Sequence, residues 1–155
     1  LELSKELWEK ELSDDFVMLV RAHHFMKNAP EISNNSFWIN VSDYPDVNEL
    51  YWISDVLISD YSSAFFDYGL LAKPMVCFAY DYDEFEKNPG LIMDLKNEFP
   101  SGIKYTEEEV INFIKRMDFE EEGRKTKAYI DSYLSRPTNS TKMCVDRISE
   151  LLSTK

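Results

Sequence analysis

The sequence predicts an α/β domain of the Rossmann-like kind, a doubly wound parallel sheet, and three observations predict it. Short apolar runs read as strands at Phe16 to Val20, Phe37 to Val41, Val56 to Ser59 and Met75 to Ala79. They are unbroken rather than alternating, the pattern of strands covered on both faces. Helical patterns separate them, and strands that alternate with helices build parallel sheets.

Leu3 to Leu12 is rich in Glu, Lys and Leu, with Leu3, Leu7 and Trp8 at helical spacing ahead of the first strand. A turn-rich stretch with Asn28, Pro30, Asn34 and Asn35 leads to the second. Asp46 starts a short helix, with Glu49 placed to close a capping box and Val47, Leu50 and Tyr51 on one face. After the third strand, Asp60-Tyr61-Ser62-Ser63 opens a helix expected to run through Ala72, and Lys73-Pro74 stops it before the fourth strand. Thr106 to Glu109 is a capping box followed by Val110, Phe113, Ile114 and Met117 at i, i+3, i+4, i+7. Asp118 to Tyr133 reads as a charged helix or pair of helices, and Thr141 to Leu152 as a last helix with Val145, Ile148, Leu151 and Leu152 apolar. No repeat, low-complexity tract or linker divides the chain, so residues 1–155 are expected to form a single domain.

An apolar share of 44% is enough for an ordinary core. The longest apolar runs, such as Met75 to Tyr80, fall far short of the ~20 residues of a membrane helix, so no transmembrane segment is expected. A formal net charge of -12 excludes a sequence-independent nucleic-acid surface and broad adhesion to anionic lipid. It does not exclude one small anion, which a nest of backbone N–H groups can hold in an acidic protein. Cys77 and Cys144 lie in apolar stretches, which predicts buried free thiols in a reducing compartment, by default the cytosol. The chain opens on Leu1 rather than Met, so an excised piece of a longer protein is expected.

Two constellations carry chemistry. Asp60-Tyr61-Ser62-Ser63 follows a buried strand and opens a helix, where free N–H groups, the positive end of the helix dipole and two hydroxyls suit a phosphate. The plain alternative is that Ser62 or Ser63 only caps the helix. Arg21-Ala22-His23-His24 follows the first strand, where a guanidinium could neutralise a diphosphate and an imidazole could move a proton near neutral pH, or where two histidines merely sit on the surface. Asp81, Asp83, Glu84 and Glu86 lack tight ligand spacing and read as a solvated acidic loop, so no metal is expected. Tyr80, Tyr82 and Phe85 read as packing rather than a base-stacking platform. Nucleotide-hydrolase, dinucleotide, zinc and hydrolase-elbow motifs are absent, and no cofactor is expected.

With these residues in view, nearly the whole chain resembles the C-terminal portion of the CDP-glycerol:poly(glycerophosphate) glycerophosphotransferase family, which makes wall teichoic acid and related capsule polymers. Its most specific part is Ser54 to Tyr68, followed by Lys73-Pro74 and by Tyr80 to Phe85. Arg21-Ala22-His23 is similar to the family's Arg-x-His at a strand end, though His24 stands where proline is common. Gly90 and Asp94 fall where the family has a glycine loop ending in aspartate, and Lys104 to Val110 resembles the opening of its next helix.

The resemblance implies the C-terminal, nucleotide-binding half of a two-domain GT-B-like enzyme. It implies that Ser62 and Ser63 contact the donor diphosphate, that Arg21 neutralises it, and that His23 is one of two catalytic histidines. Arg136 to Thr141 lacks the family's acidic-glycine pair, which leaves Ser140 and Thr141 as phosphate contacts; Asp60 and the turn Pro100-Ser101-Gly102 fall near the nucleotide. The expected donor is CDP-glycerol or a related CDP-alcohol, and the expected acceptor a lipid-linked polymer met by the absent N-terminal half. The parent is expected to be cytoplasmic and peripheral on the inner membrane face, and this half inactive alone. Two rivals remain at this point: the nucleotide-binding half of a GT-B glycosyltransferase using a UDP- or CMP-sugar, and a non-catalytic interaction module.

Overall fold

A computed structural model describes residues 3–22, 34–85, 87, 94–134 and 139–153. Helix α1 (Lys5–Leu12) buries Trp8 and Leu12. It lies against α6 (Glu107–Arg116), to which it is tied by Ser4 N–H donating to Glu107 at 2.9 Å and by Lys115 to Glu11 at 2.7 Å. Strand β1 (Met18–Val20) is shorter than the apolar run, because the Phe16 N–H is used in the turn that ends α1, donating to Leu12 O at 2.9 Å. It pairs in parallel with β2 (Trp38–Asn40), Met18 opposite Trp38.

Helix α2 (Val47–Ile53) begins where expected, with the Asp46 carboxylate accepting from Asn48 N–H at 2.8 Å. The predicted capping box does not form: Glu49 takes the Tyr44 hydroxyl instead of returning to the Asp46 N–H. Lys73 Nζ closes the other end, donating to Trp52 O at 2.8 Å and Ser54 O at 2.7 Å. Lysine near a helix C-terminus satisfies its last carbonyls in this way.

Strand β3 (Leu57–Ser59) pairs in parallel with β4 (Met75–Cys77), Leu57 opposite Met75. Between them α3 (Ala64–Gly69) stops short of the predicted Ala72. Ala72 itself adopts a left-handed backbone, φ 52°. The reason lies in α7 (Phe119–Tyr133), a single helix capped by Asp118, which presses on the end of α3. A Cβ on Gly123 would stand 2.4 Å from Ala72 O, and one on Gly69 would stand 2.4 Å from Ile130. Two short helices were not apparent in the sequence, α4 (Tyr82–Phe85) in the acidic stretch and α5 (Leu95–Glu98) after Asp94. The Thr106–Glu109 capping box is present.

β4 is the centre of the fold. Its alternate residues serve two cores, as the period of two in a strand dictates. Met75, Cys77 and Ala79 join Phe65, Tyr68 and Ile130 in one, whereas Val76 and Phe78 join Trp8, Trp38 and Val110 in the other. Helices therefore cover both faces, α3 and α7 on one and α1 and α6 on the other, the doubly wound arrangement the unbroken strands predict. The sheets are small, each pair three residues long and with no ladder between the pairs among the described residues. At its end β4 gains a second neighbour: the Phe78 N–H still donates to Ser59 O at 2.8 Å, while Phe78 bridges in parallel to Lys104 on the other edge.

Helix α8 (Ser140–Ser153) buries none of its residues. That corrects one expectation: Cys77 is a buried thiol, but Cys144 is exposed, because no described element packs on the apolar side of α8. No helix among the described residues is long and apolar enough to cross a membrane.

Candidate functional site

The serine turn follows β3 directly. Ser62 Oγ accepts from Ala64 N–H at 3.1 Å and so supplies the first bond of α3, while Ser63 occupies the cap position without using its side chain. The capping reading thus accounts for one serine. The exposed Ser63 hydroxyl and the N–H groups of Ser62 and Ser63 have no acceptor among the described residues. Three donors are thus unused in the turn between the end of β3 and the six-residue helix α3.

The turn is held from below and from one side. Cys77 Sγ, on β4, reaches Asp60 O at 3.5 Å, and the Tyr61 hydroxyl donates to Asp81 Oδ1 at 2.7 Å. Burial first, then the Asp60 charge, pushes the Cys77 thiol up to about 12 against the opposing pull of Lys104, so it stays protonated and able to donate. Tyr61, Asp81 and Cys77 were not singled out as site residues from the sequence. Nothing local announces them, since each acts on a residue 17 or 20 positions away.

Arg21 stands at the exit of β1. Its guanidinium donates to Tyr44 O at 2.6 Å and to Val41 O at 3.4 Å, which fixes the side chain over the end of β2 and leaves its other N–H groups exposed. Tyr51 of α2 senses it: burial, then Asp67 of α3, raises the Tyr51 phenol, and Arg21 pulls the other way. The described contacts of Arg21 are thus to the segment that follows β2, and none of them reaches the serine turn. Beside it opens an apolar cavity of about 440 Å³ between Leu19, Val41, Tyr44, Leu50 and Trp52. His23 and Gly90 lie outside the described residues.

Pro100-Ser101-Gly102 forms a tight turn, Gly102 N–H donating to Phe99 O at 3.0 Å, with Ser101 and Gly102 both left-handed at φ 63° and 68°. Its side-chain hydroxyl and two of its carbonyls are occupied internally. The Ser101 hydroxyl donates to the buried Glu122 carboxylate, which also takes Lys125 at 2.7 Å, and Ser101 O accepts from Lys104 Nζ at 2.6 Å. A cavity of about 670 Å³ adjoins this turn, and its Tyr133 and Glu98 are hydrogen-bonded to each other. The parallel bridge of Phe78 to Lys104 puts the turn at the entry of its strand-like segment rather than the exit. Ser140 and Thr141 are exposed at the start of α8. Asp60 is exposed within the turn, whereas the aromatic residues nearby are mixed: Tyr82 is buried, Phe85 stacks on Tyr61, and Tyr80 is exposed. No cluster of metal-ligating side chains occurs among the described residues.

Parallel strands with helices on both faces and a polar turn at the exit of one of them make this an α/β unit of the Rossmann-like kind. The family profile described as CDP-glycerol:poly(glycerophosphate) glycerophosphotransferase matches residues 1–148. Among curated proteins, a teichoic acid poly(glycerol phosphate) polymerase of Staphylococcus epidermidis is 49% identical over 63% of this chain and 14% of its own length. A teichoic acid glycerol-phosphate transferase of Staphylococcus aureus is 38% identical over 73% of this chain and 29% of its own. Solved structures of the wall teichoic acid polymerase TagF superpose over 99% of this chain with TM-scores of 0.75 and 0.80 at 33% and 34% identity, and 39% of the TagF chain is covered. Another TagF structure was soaked with CDPG. The chain belongs to the CDP-glycerol:poly(glycerophosphate) glycerophosphotransferase family and spans a minor part of the length of these relatives.

Proposed function

We propose that this chain is the donor-binding part of a transferase that moves a polyol phosphate from CDP-glycerol, or a related CDP-alcohol, to a teichoic-acid or capsular acceptor. The observation that carries this reading is the serine turn, where two main-chain N–H groups and the Ser63 hydroxyl stand unused at the exit of β3. Family membership supports it, because the relatives are glycerol-phosphate and ribitol-phosphate polymerases and transferases.

In such a reaction an acceptor hydroxyl attacks the distal phosphorus of the donor and CMP leaves, so catalysis is mostly positioning and charge stabilisation. The turn holds the diphosphate oxygens. Arg21 offsets their charge through the N–H groups not bound to Tyr44 and Val41. His23 handles the proton or the developing charge at the reacting phosphate. Acceptor and alcohol are met by the remainder of a longer enzyme, cytoplasmic and peripheral on the membrane that carries lipid-linked acceptors.

Titrating the chain with CDP and with UDP tests the donor class. CDP is expected to bind and UDP to bind more weakly; a clear UDP preference points instead to a nucleotide-sugar transferase, and no binding of either to a non-catalytic module. In the longer enzyme, His23→Ala should leave CDP affinity near the parent value and abolish transfer, and retained turnover removes His23 from the chemistry.

A further inference from the structure

The serine turn is anchored through a side chain that reads as ordinary packing in the sequence. Tyr61 precedes Ser62. Its hydroxyl donates to Asp81 Oδ1 at 2.7 Å, and its ring lies flat on Phe85, with centroids 3.7 Å apart and planes 8° from parallel. Asp81 and Phe85 bracket α4, which follows β4, so Tyr61 couples the turn after β3 to the helix after β4. Cys77 holds the neighbouring carbonyl of Asp60 from beneath. Two successive residues of the turn are thus fixed, while the next two carry the unused N–H groups.

Asp81 is an odd neighbour for an anion. A bare carboxylate near a diphosphate repels it, and Asp60 is already close by. Its presence is accounted for if it holds something in place. The Tyr61 phenol is well suited to be held: burial, and then the Asp81 bond, raise it far above its ordinary value, so it remains a donor across any working pH. Fixing the donors before the ligand arrives also removes their ordering cost from binding.

We propose that Tyr61, with Asp81 as its acceptor, is a positioning residue that aims the Ser62 and Ser63 N–H groups at the donor phosphates. The inference rests on the reading of that turn as the phosphate site.

The test is a CDP titration of the full chain carrying Tyr61→Phe, Asp81→Ala, Asp81→Asn or the pair Tyr61→Phe with Asp81→Ala, beside Ser62→Ala with Ser63→Ala, with a thermal midpoint for each. Tyr61→Phe keeps the ring on Phe85 and removes only the hydroxyl. It and Asp81→Ala should each weaken CDP about tenfold, the equivalent of ~1.4 kcal/mol. The pair should be no worse than either alone, because one bond is lost in all three. Asp81→Asn, which retains an acceptor oxygen, should recover most of the affinity. Tighter binding by Asp81→Ala identifies Asp81 as mere nearby charge and overturns the proposal. Unchanged affinity in Tyr61→Phe and Asp81→Ala overturns it too, whether or not the midpoint falls; if the serine pair still loses affinity, the phosphate reading survives that failure. If the serine pair also binds like the parent, the phosphate reading falls and this inference with it.

Discussion

Two turns in this molecule look alike in the sequence and differ in what their polar groups do. Both are short, polar and serine-containing, and resemblance places both near a nucleotide. At Ser62-Ser63 the main-chain donors are unused and one hydroxyl is free of any described acceptor. At Pro100-Ser101-Gly102 the Ser101 hydroxyl, the Ser101 and Gly102 carbonyls and the Gly102 N–H are taken, by Glu122, Lys104 and Phe99, and of its main-chain donors only the Ser101 N–H has no acceptor among the described residues. The two turns therefore differ in unmet hydrogen-bonding capacity, and a turn whose groups are mostly satisfied is already near complete as structure.

The comparison can be broken most forcefully through α7, which carries Glu122 to the second turn. Gly123→Ala puts a methyl 2.4 Å from Ala72 O, a backbone atom that cannot step aside. It should cost about 3 kcal/mol in chemical denaturation, near the top of the usual range for overpacking. The part that folds should bind CDP like the parent, because the clash falls at Ala72, past the C-terminal end of α3, whereas the serine turn lies before its start. Next, Ser62→Ala with Ser63→Ala should weaken CDP by about 1 to 3 kcal/mol, the scale of charge-assisted hydrogen bonds, as measured by calorimetry.

Smaller effects separate the turns further. Gly102→Ala forces a side chain into a left-handed position, φ 68°, with open space around it, so it should cost about 1 kcal/mol of stability and nothing in CDP affinity. Ser62→Ala alone should lower stability by about 0.5 kcal/mol through the lost Ala64 contact, and Ser63→Ala alone should not. Thiol labelling gives the mildest probe. In the native chain Cys144 should react and Cys77 should not, with both reacting after denaturation. The raised Cys77 value also fixes a sign: above about pH 8.5 the unfolded chain releases a proton that the folded chain keeps, so this group's contribution to stability falls with rising pH.

The layers of the fold were legible because burial on both faces leaves a local trace. Met75 to Ala79 reads as unbroken apolar sequence, and its alternate residues do face two cores. Helix starts set by a side chain within three residues were legible too, as at Thr106 and Asp118. What the sequence hid depends on residues far apart. Glu49 abandoned its capping box for Tyr44, α3 ended early under pressure from Gly123 and Ile130, and Cys144 stayed exposed on a helix with an apolar stripe but no covering element among the described residues. At the site, the serine turn could be read locally, whereas its anchors Tyr61 to Asp81 and Cys77 to Asp60 could not.

The most direct measurement follows backbone amide resonances while CDP is added. The account predicts that Ser62 and Ser63 move first and furthest, with Arg21 following and Ser101 and Gly102 almost still. Saturable shifts at Ser101 and Gly102, with Ser62 and Ser63 unmoved, would contradict it.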